Sequence, residues 1–162
     1  MSSCIHIGSA DTHGANTIRI RTFATIGKKS FTLLYTHQDD DNDPYNAIDL
    51  ELNMFDLLAK LSTFCLIEEG TYKMWVAHSE FDTSRVIVKR GGDGDVYETQ
   101  KHNISYHRMA DGDVVIFVNE RNEMTTDELV HLATNNDPDL AAQKIRDGSN
   151  EHDMSVSVVK YI

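Results

Sequence analysis

Apolar and polar residues alternate with period two over Ile18-Arg19-Ile20-Arg21-Thr22-Phe23, which predicts a strand with one buried face. A turn at Ile26-Gly27-Lys28-Lys29 leads to a second strand over 30–35, so the first 36 residues read as strands. The acidic stretch Gln38-Asp39-Asp40-Asp41-Asn42-Asp43-Pro44 reads as a loop, because neither a strand nor a helix interior accommodates it. The period then changes. Ala47, Leu50, Met54, Leu57, Leu58 and Leu61 recur at helical spacing, with Asp49, Glu51, Asn53, Asp56 and Lys60 between them, which predicts an amphipathic helix over 47–61.

Strand patterns return at 63–67, 72–77 and 85–89, followed by a Gly91-Gly92-Asp93-Gly94 turn and a short strand at 96–98. Segments 104–109 and 114–118 read as a further hairpin around Asp111-Gly112. Thr125-Thr126-Asp127-Glu128 has the form of a capping box opening a helix through Thr134. Asp137-Pro138 supplies an N-cap and a first-turn proline for a second helix through about Arg146. The chain closes on a strand over 154–161, whose apolar run marks it as central. Strands, a long helix, many strands, two short helices and a last strand define an α+β domain over 1–162 with antiparallel sheets.

The net charge of −11 argues against nucleic acid, since the basic pairs Arg19 with Arg21, Lys28-Lys29 and Lys89-Arg90 are isolated and lack interleaved aromatics. No run of apolar residues is long enough for a membrane span. The N-terminus has no basic-then-apolar leader pattern, and Cys4 and Cys65 are too few for a disulfide framework or a Cys-rich zinc site. A cytoplasmic or nuclear protein with two reduced thiols is expected.

Candidate chemistry is thin. Asp39, Asp41 and Asp43 match the first ligands of an EF-hand loop, but Pro44 stands where glycine is required and Leu50 where the bidentate glutamate belongs. His102 and His107 fall on opposite faces of a predicted strand, and no His-x-x-x-His or Cys-His cluster exists. Asn103-Ile104-Ser105 is a glycosylation sequon without a secretory context.

Several landmarks recur in a telling order. Gly8-Ser9-Ala10-Asp11-Thr12-His13-Gly14 opens the chain, and Leu34-Tyr35-Thr36-His37-Gln38-Asp39-Asp40 precedes Met54-Phe55-Asp56-Leu57-Leu58. Val76-Ala77-His78-Ser79 and Ser84 to Gly92 follow, then Asp111-Gly112-Asp113-Val114-Val115-Ile116-Phe117. Asp137-Pro138 with Ala141-Ala142 and Lys144, and finally His152-Asp153-Met154-Ser155, complete the series. Together they resemble the metal-dependent type-2C (PPM) protein phosphatases, most of all the branch in leucine-rich-repeat phosphatases with a pleckstrin-homology domain and in fungal adenylyl cyclases.

The resemblance implies a phosphatase 2C-like antiparallel β-sandwich with flanking helices. It is a reduced one, because Leu61 runs almost directly into Thr63 and Lys101 into Ile104, where the family has a second long helix and a flap. It also implies a residual Mg²⁺ or Mn²⁺ site, with Asp39 at the place of the bridging carboxylate, Asp153 at that of the last-strand ligand and Asp11 as the outer acidic residue. In the family two such metals activate the attacking water and shield phosphate charge.

This sequence departs from the family at the chemistry. Asp40 replaces the glycine after the bridging aspartate, and Val118-Asn119 (or Asn119-Glu120, one residue on) replaces an Asp-Gly pair. Ala15-Asn16 follow Gly14 where a phosphate-gripping basic residue is expected, and Phe81-Asp82-Thr83-Ser84-Arg85 lacks the family's glycine. No catalytic residue can be assigned. The expectation is a degenerate, protein-binding or regulatory domain without a cofactor. The alternative is a weak Mg/Mn-dependent serine/threonine phosphatase that recruits a substituted ligand such as Glu120. A missing helix would leave a sheet face uncovered, which predicts a protein partner or a homodimer.

Overall fold

A computed structural model describes residues 4–12, 18–24, 27, 29–36, 63–78, 84–100, 103–119, 124–148 and 154–162. The predicted helix over 47–61 and the acidic loop at 38–44 lie outside them. Ten strands and two helices are described: β1 (Ile5–Asp11), β2 (Arg19–Ala24), β3 (Ser30–Tyr35), β4 (Thr63–Glu68), β5 (Lys73–His78), β6 (Arg85–Lys89), β7 (Val96–Glu98), β8 (Asn103–Arg108), β9 (Val114–Asn119), α1 (Thr126–Asn135), α2 (Pro138–Asp147) and β10 (Ser155–Tyr161).

The strands form two five-stranded sheets, ordered β1-β10-β9-β6-β7 and β2-β3-β4-β5-β8, and every pairing is antiparallel. Strand alternation builds the layers. Val115 and Phe117 of β9 point between the sheets with Leu34, Cys65, Ile67, Met74, Val76, Val86 and Val159. Val114, Ile116 and Val118 point the other way, onto Leu129 and Ala133 of α1 and Ala141, Ala142 and Ile145 of α2. The result is an α+β sandwich with both helices on the outer face of the first sheet. The outer face of the second sheet carries Phe31, Leu33, Tyr35, Phe64, Leu66 and Ala77, all buried within the chain. Among the described residues, the exposed large apolar side chains of this sheet are Ile20 and Tyr106, on its two edge strands.

Both helices start as their sequences dictate. Thr125 Oγ1 accepts from the Glu128 amide at 3.1 Å while the Glu128 carboxylate accepts from the Thr125 amide, closing the capping box. Asp137 caps α2 by accepting from the Leu140 amide at 2.9 Å, with Pro138 in the first turn.

One expected pairing is wrong. Segments 104–109 and 114–118 do not form a hairpin, because β8 pairs with β5 in one sheet and β9 with β6 and β10 in the other. Asp111-Gly112 is a corner that carries the chain between sheets, with Gly112 at φ 88°. The buried Asp113 carboxylate fixes it, accepting from the amides of Gly91 (2.7 Å) and Ala110 (2.8 Å) and from Arg90 (2.8 Å). Turn residues announce that a chain reverses, not which edge it then joins.

Candidate functional site

A polar row crosses the first sheet at one end, built by register alone. Asp11 stands opposite Ser155, Ser155 opposite Asn119, and Ser84 adjoins Asn119 just before β6. Their side chains share the parity that points between the sheets. The Ser155 hydroxyl donates to Asp11 Oδ1 and accepts from the Ile18 amide at 2.9 Å. The Ser84 hydroxyl donates to Asn119 Oδ1 at 3.2 Å. Ser84, Asn119 and Ser155 are buried, whereas Asp11 is exposed.

The second sheet ends in a facing row. Thr36 donates its amide to Thr63 O at 3.0 Å, and Thr63 stands opposite His78. All three are buried. His78 Nε2 lies 2.5 Å from Ser84 O, so this nitrogen carries the proton and the imidazole ties the two sheets together. Thr63 Oγ1 is buried without a hydrogen-bond partner among the described residues. Thr12 and Met154 seal the margin through Thr12 N to Met154 O (2.8 Å) and Met154 N to Thr12 Oγ1 (2.7 Å).

Of the predicted ligands, Asp11 falls in this row. Asp39 and Asp153 lie outside the described residues, as do Glu120, His102 and Phe81-Asp82-Thr83. The described positions nearest Asp39 and Asp153 along the chain, Thr36 and Met154, both belong to this end of the sandwich. Asn119 is in the row too, as a neutral amide. The sequence reading overlooked Thr36, Thr63, His78, Ser84 and Ser155 as a set. Its available signal was a polar residue at the terminus of several otherwise apolar strands, all of which register brings to one end.

The fold is shared with phosphatase domains of known structure. No family model matches the chain, and no curated protein matches its sequence. Among solved structures, the S. agalactiae serine/threonine phosphatase superposes with a TM-score of 0.62 at 10% identity, over 97% of this chain and 99% of that one. RsbX in complex with magnesium gives 0.60 at 8%, over 99% and 96%. The phosphatase domain of SpoIIE from Bacillus subtilis gives 0.58 at 14%, over 99% and 93%. The chain spans only 64% of the SpoIIE structure that also holds a fragment of the regulatory domain. This chain therefore has the fold of the PP2C-type phosphatase domains, at identities that speak for the fold alone.

Divalent metals in such a fold call for several carboxylate oxygens at one place. Among the described residues no three His, Cys, Asp or Glu side chains converge. At the polar rows the described donors are one carboxylate, one amide, one imidazole and hydroxyls, and the Asp11 carboxylate is already engaged by Ser155. These described groups alone hold one carboxylate; Asp39 and Asp153, the other two predicted ligands, lie outside the described residues.

Proposed function

We propose that this chain is a non-catalytic phosphatase 2C-like domain that works by binding a protein and regulating it. The observation that carries the reading is Asn119. At the end of the central strand β9, where the family presents an acidic ligand, stands a buried neutral amide whose oxygen is turned to the Ser84 hydroxyl. A carboxamide brings no charge to hold a cation, and affinity for hard divalent ions rises with the number of charged ligands. The neighbouring Ser155 supports the same reading, since it spends its hydroxyl on Asp11, the one carboxylate among the described residues of the row. The order of landmarks from Gly8 to Ser155 favours the leucine-rich-repeat and adenylyl cyclase branch as the source of this domain.

Hydrolysis of p-nitrophenyl phosphate and of a phosphopeptide with Mn²⁺ tests the proposal, with Asp39→Asn as the comparison. The expected result is no turnover above the metal-only rate in either protein. Mn²⁺-dependent turnover that disappears in Asp39→Asn would overturn it in favour of a weak metal-dependent phosphatase.

A further inference from the structure

Strand β8 ends its sheet, so one edge of its backbone is unpaired by any other described strand. The Arg108 carbonyl points to that edge, where it accepts from Arg90 at 2.8 Å, while the Met109 amide turns inward to Tyr72 O. Alternation then turns the N–H and C=O groups of Ile104 and Tyr106 outward as well. Those groups form a template for one more strand.

The outer face beside this edge has a definite chemistry. Register places Ile104 opposite Ala77, Tyr106 opposite Trp75 and Arg108 opposite Lys73. Tyr106 is 50% exposed and its ring leans on Trp75, with centroids 5.4 Å apart at 51°. Next to this aromatic ledge stand two exposed cations facing each other across the strands, an arrangement that repels internally. Among the described residues no carboxylate pairs with Lys73 or Arg108. Two described acidic groups on the adjoining turns are engaged elsewhere: Glu68 accepts from Thr71 and approaches Lys29 at 3.8 Å, and Asp111 accepts from the Tyr72 hydroxyl. In a chain of net charge −11, two adjacent unpaired cations beside an exposed tyrosine are not ordinary surface.

We propose that the β5–β8 edge docks an extended, acidic peptide segment of a partner protein. The segment adds as a strand to β8, lays an apolar or aromatic side chain on Tyr106 and Trp75, and sets its carboxylates against Lys73 and Arg108. Strand addition supplies affinity through the backbone, and side chains at alternate positions supply selectivity. Charge complementarity names the occupant: in a chain of net charge −11, Lys73 and Arg108 give this edge a local positive charge that favours an acidic segment. The inference rests on the protein-binding reading above and specifies the partner's chemistry.

Trp75, the single tryptophan, reports occupancy directly. The probe is an acetylated, amidated Glu-Val-Glu-Tyr-Glu-Val peptide titrated into the full chain without metal. Its Lys-for-Glu counterpart, a backbone N-methylated version and a ten-residue oligothymidylate serve as comparators. The acidic peptide is expected to shift Trp75 emission saturably, and the charge reversal Lys73→Glu/Arg108→Glu to weaken it about tenfold. Both substituted positions are exposed, and a thermal unfolding curve matching the wild type confirms the fold of the variant. N-methylation, which removes edge hydrogen bonds without touching the protein, is expected to abolish binding. No saturable change with the acidic peptide overturns the proposal, as does equal binding of the Lys peptide or of oligothymidylate, or indifference to N-methylation or to charge reversal. Because the readout is metal-free, Mn²⁺-dependent phosphatase activity would defeat the non-catalytic reading and leave this surface standing.

Discussion

Gly8 of β1 lies directly against the first turn of α2, and replacing it tests how the first sheet holds that helix. A methyl group there would lie 2.1 Å from the Pro138 carbonyl carbon, 2.3 Å from Pro138 O and 2.3 Å from the Asp139 amide nitrogen. Since apolar atoms rest at about 3.5–4.0 Å, the first turn of α2 must retreat by roughly 1.5 Å or the strand must distort. The obstruction is backbone, so no side chain can rotate away. Retreat would also lift Ala141, Ala142 and Ile145 off the sheet and open space beneath them. Overpacking costs about 1–3 kcal/mol where side chains can adjust, and the rigid contact places Gly8→Ala at about 3 kcal/mol or above. At about 2–4 °C per kcal/mol for a chain of this size, Tm should fall by about 6–12 °C. Gly70→Ala is the control. Its φ of 78° carries the left-handed penalty of about 1 kcal/mol, but no atom lies within 4 Å of the new methyl. Thermal and urea unfolding followed by circular dichroism measure both. A Gly8→Ala protein as stable as Gly70→Ala would refute the close approach of α2 to β1.

Asp113→Ala strips an acceptor from Arg90 and from the amides of Gly91 and Ala110. Because Arg90 reaches solvent, the loss should sit at the low end for a broken buried pair, about 3 kcal/mol by urea unfolding; an unchanged midpoint would show that the corner does not depend on this carboxylate. Burial pushes the Cys65 thiol up to about 12, whereas Cys4 is exposed. A disulfide reagent at pH 8 should therefore titrate one thiol in the native protein and two after denaturation, and two fast thiols would contradict the packing. His107 is held below its usual value by burial and then by the Arg90 charge, while it stacks on Tyr97 and bonds Ser105. Its proton binds the unfolded chain more readily, so its contribution is complete above the unfolded value of about 6.5 and declines as pH falls below it. Urea midpoints at pH 7 and pH 5 should differ less in His107→Gln than in wild type; identical differences would assign the acid sensitivity elsewhere.

Local chemistry made much of this fold legible in the sequence. Period-two alternation marks β2, the capping box at Thr125 marks α1, and Asp137-Pro138 marks α2, since each signal lies within a few neighbouring residues. The apolar run of β10 also announces its central place between β1 and β9. What failed was information carried by distant pairing. The corner at Asp111-Gly112 looks like a hairpin turn until the buried Asp113 and the β6–β9 pairing are known. Strand β1 is legible within the strand-forming first 36 residues, but the need for Gly8 is not, since it comes from the approach of Pro138, a contact no local pattern encodes. The polar rows were hidden for the same reason. Thr36, Thr63, His78, Ser84 and Ser155 look like ordinary strand boundaries, and only the register of two sheets brings them to one place.

Those rows carry a consequence for how the domain folds. A cluster of carboxylates at one end of a sandwich repels itself and needs bound cations to hold it closed, which couples folding to metal. Here the described row is neutral except for Asp11, and hydroxyl and amide groups satisfy one another across strands. Such a row closes by hydrogen bonds alone, so stability should not depend on divalent ions. The contrary case has a calculable size. A site with Mn²⁺ present at 100 times its Kd would stabilise the fold by about 2.7 kcal/mol, or about 5–11 °C in Tm. Unfolding in EDTA and in 1 mM MnCl₂ is expected to give the same Tm within a degree or so, as is unfolding of Asp39→Asn and Asp153→Asn in the two conditions. A rise of several degrees with Mn²⁺ that both substitutions abolish would mean that Asp39 and Asp153 supply the missing charge. Asn119 would then be a tolerated substitution in a working metal centre, and the loss of chemistry inferred from it would be wrong.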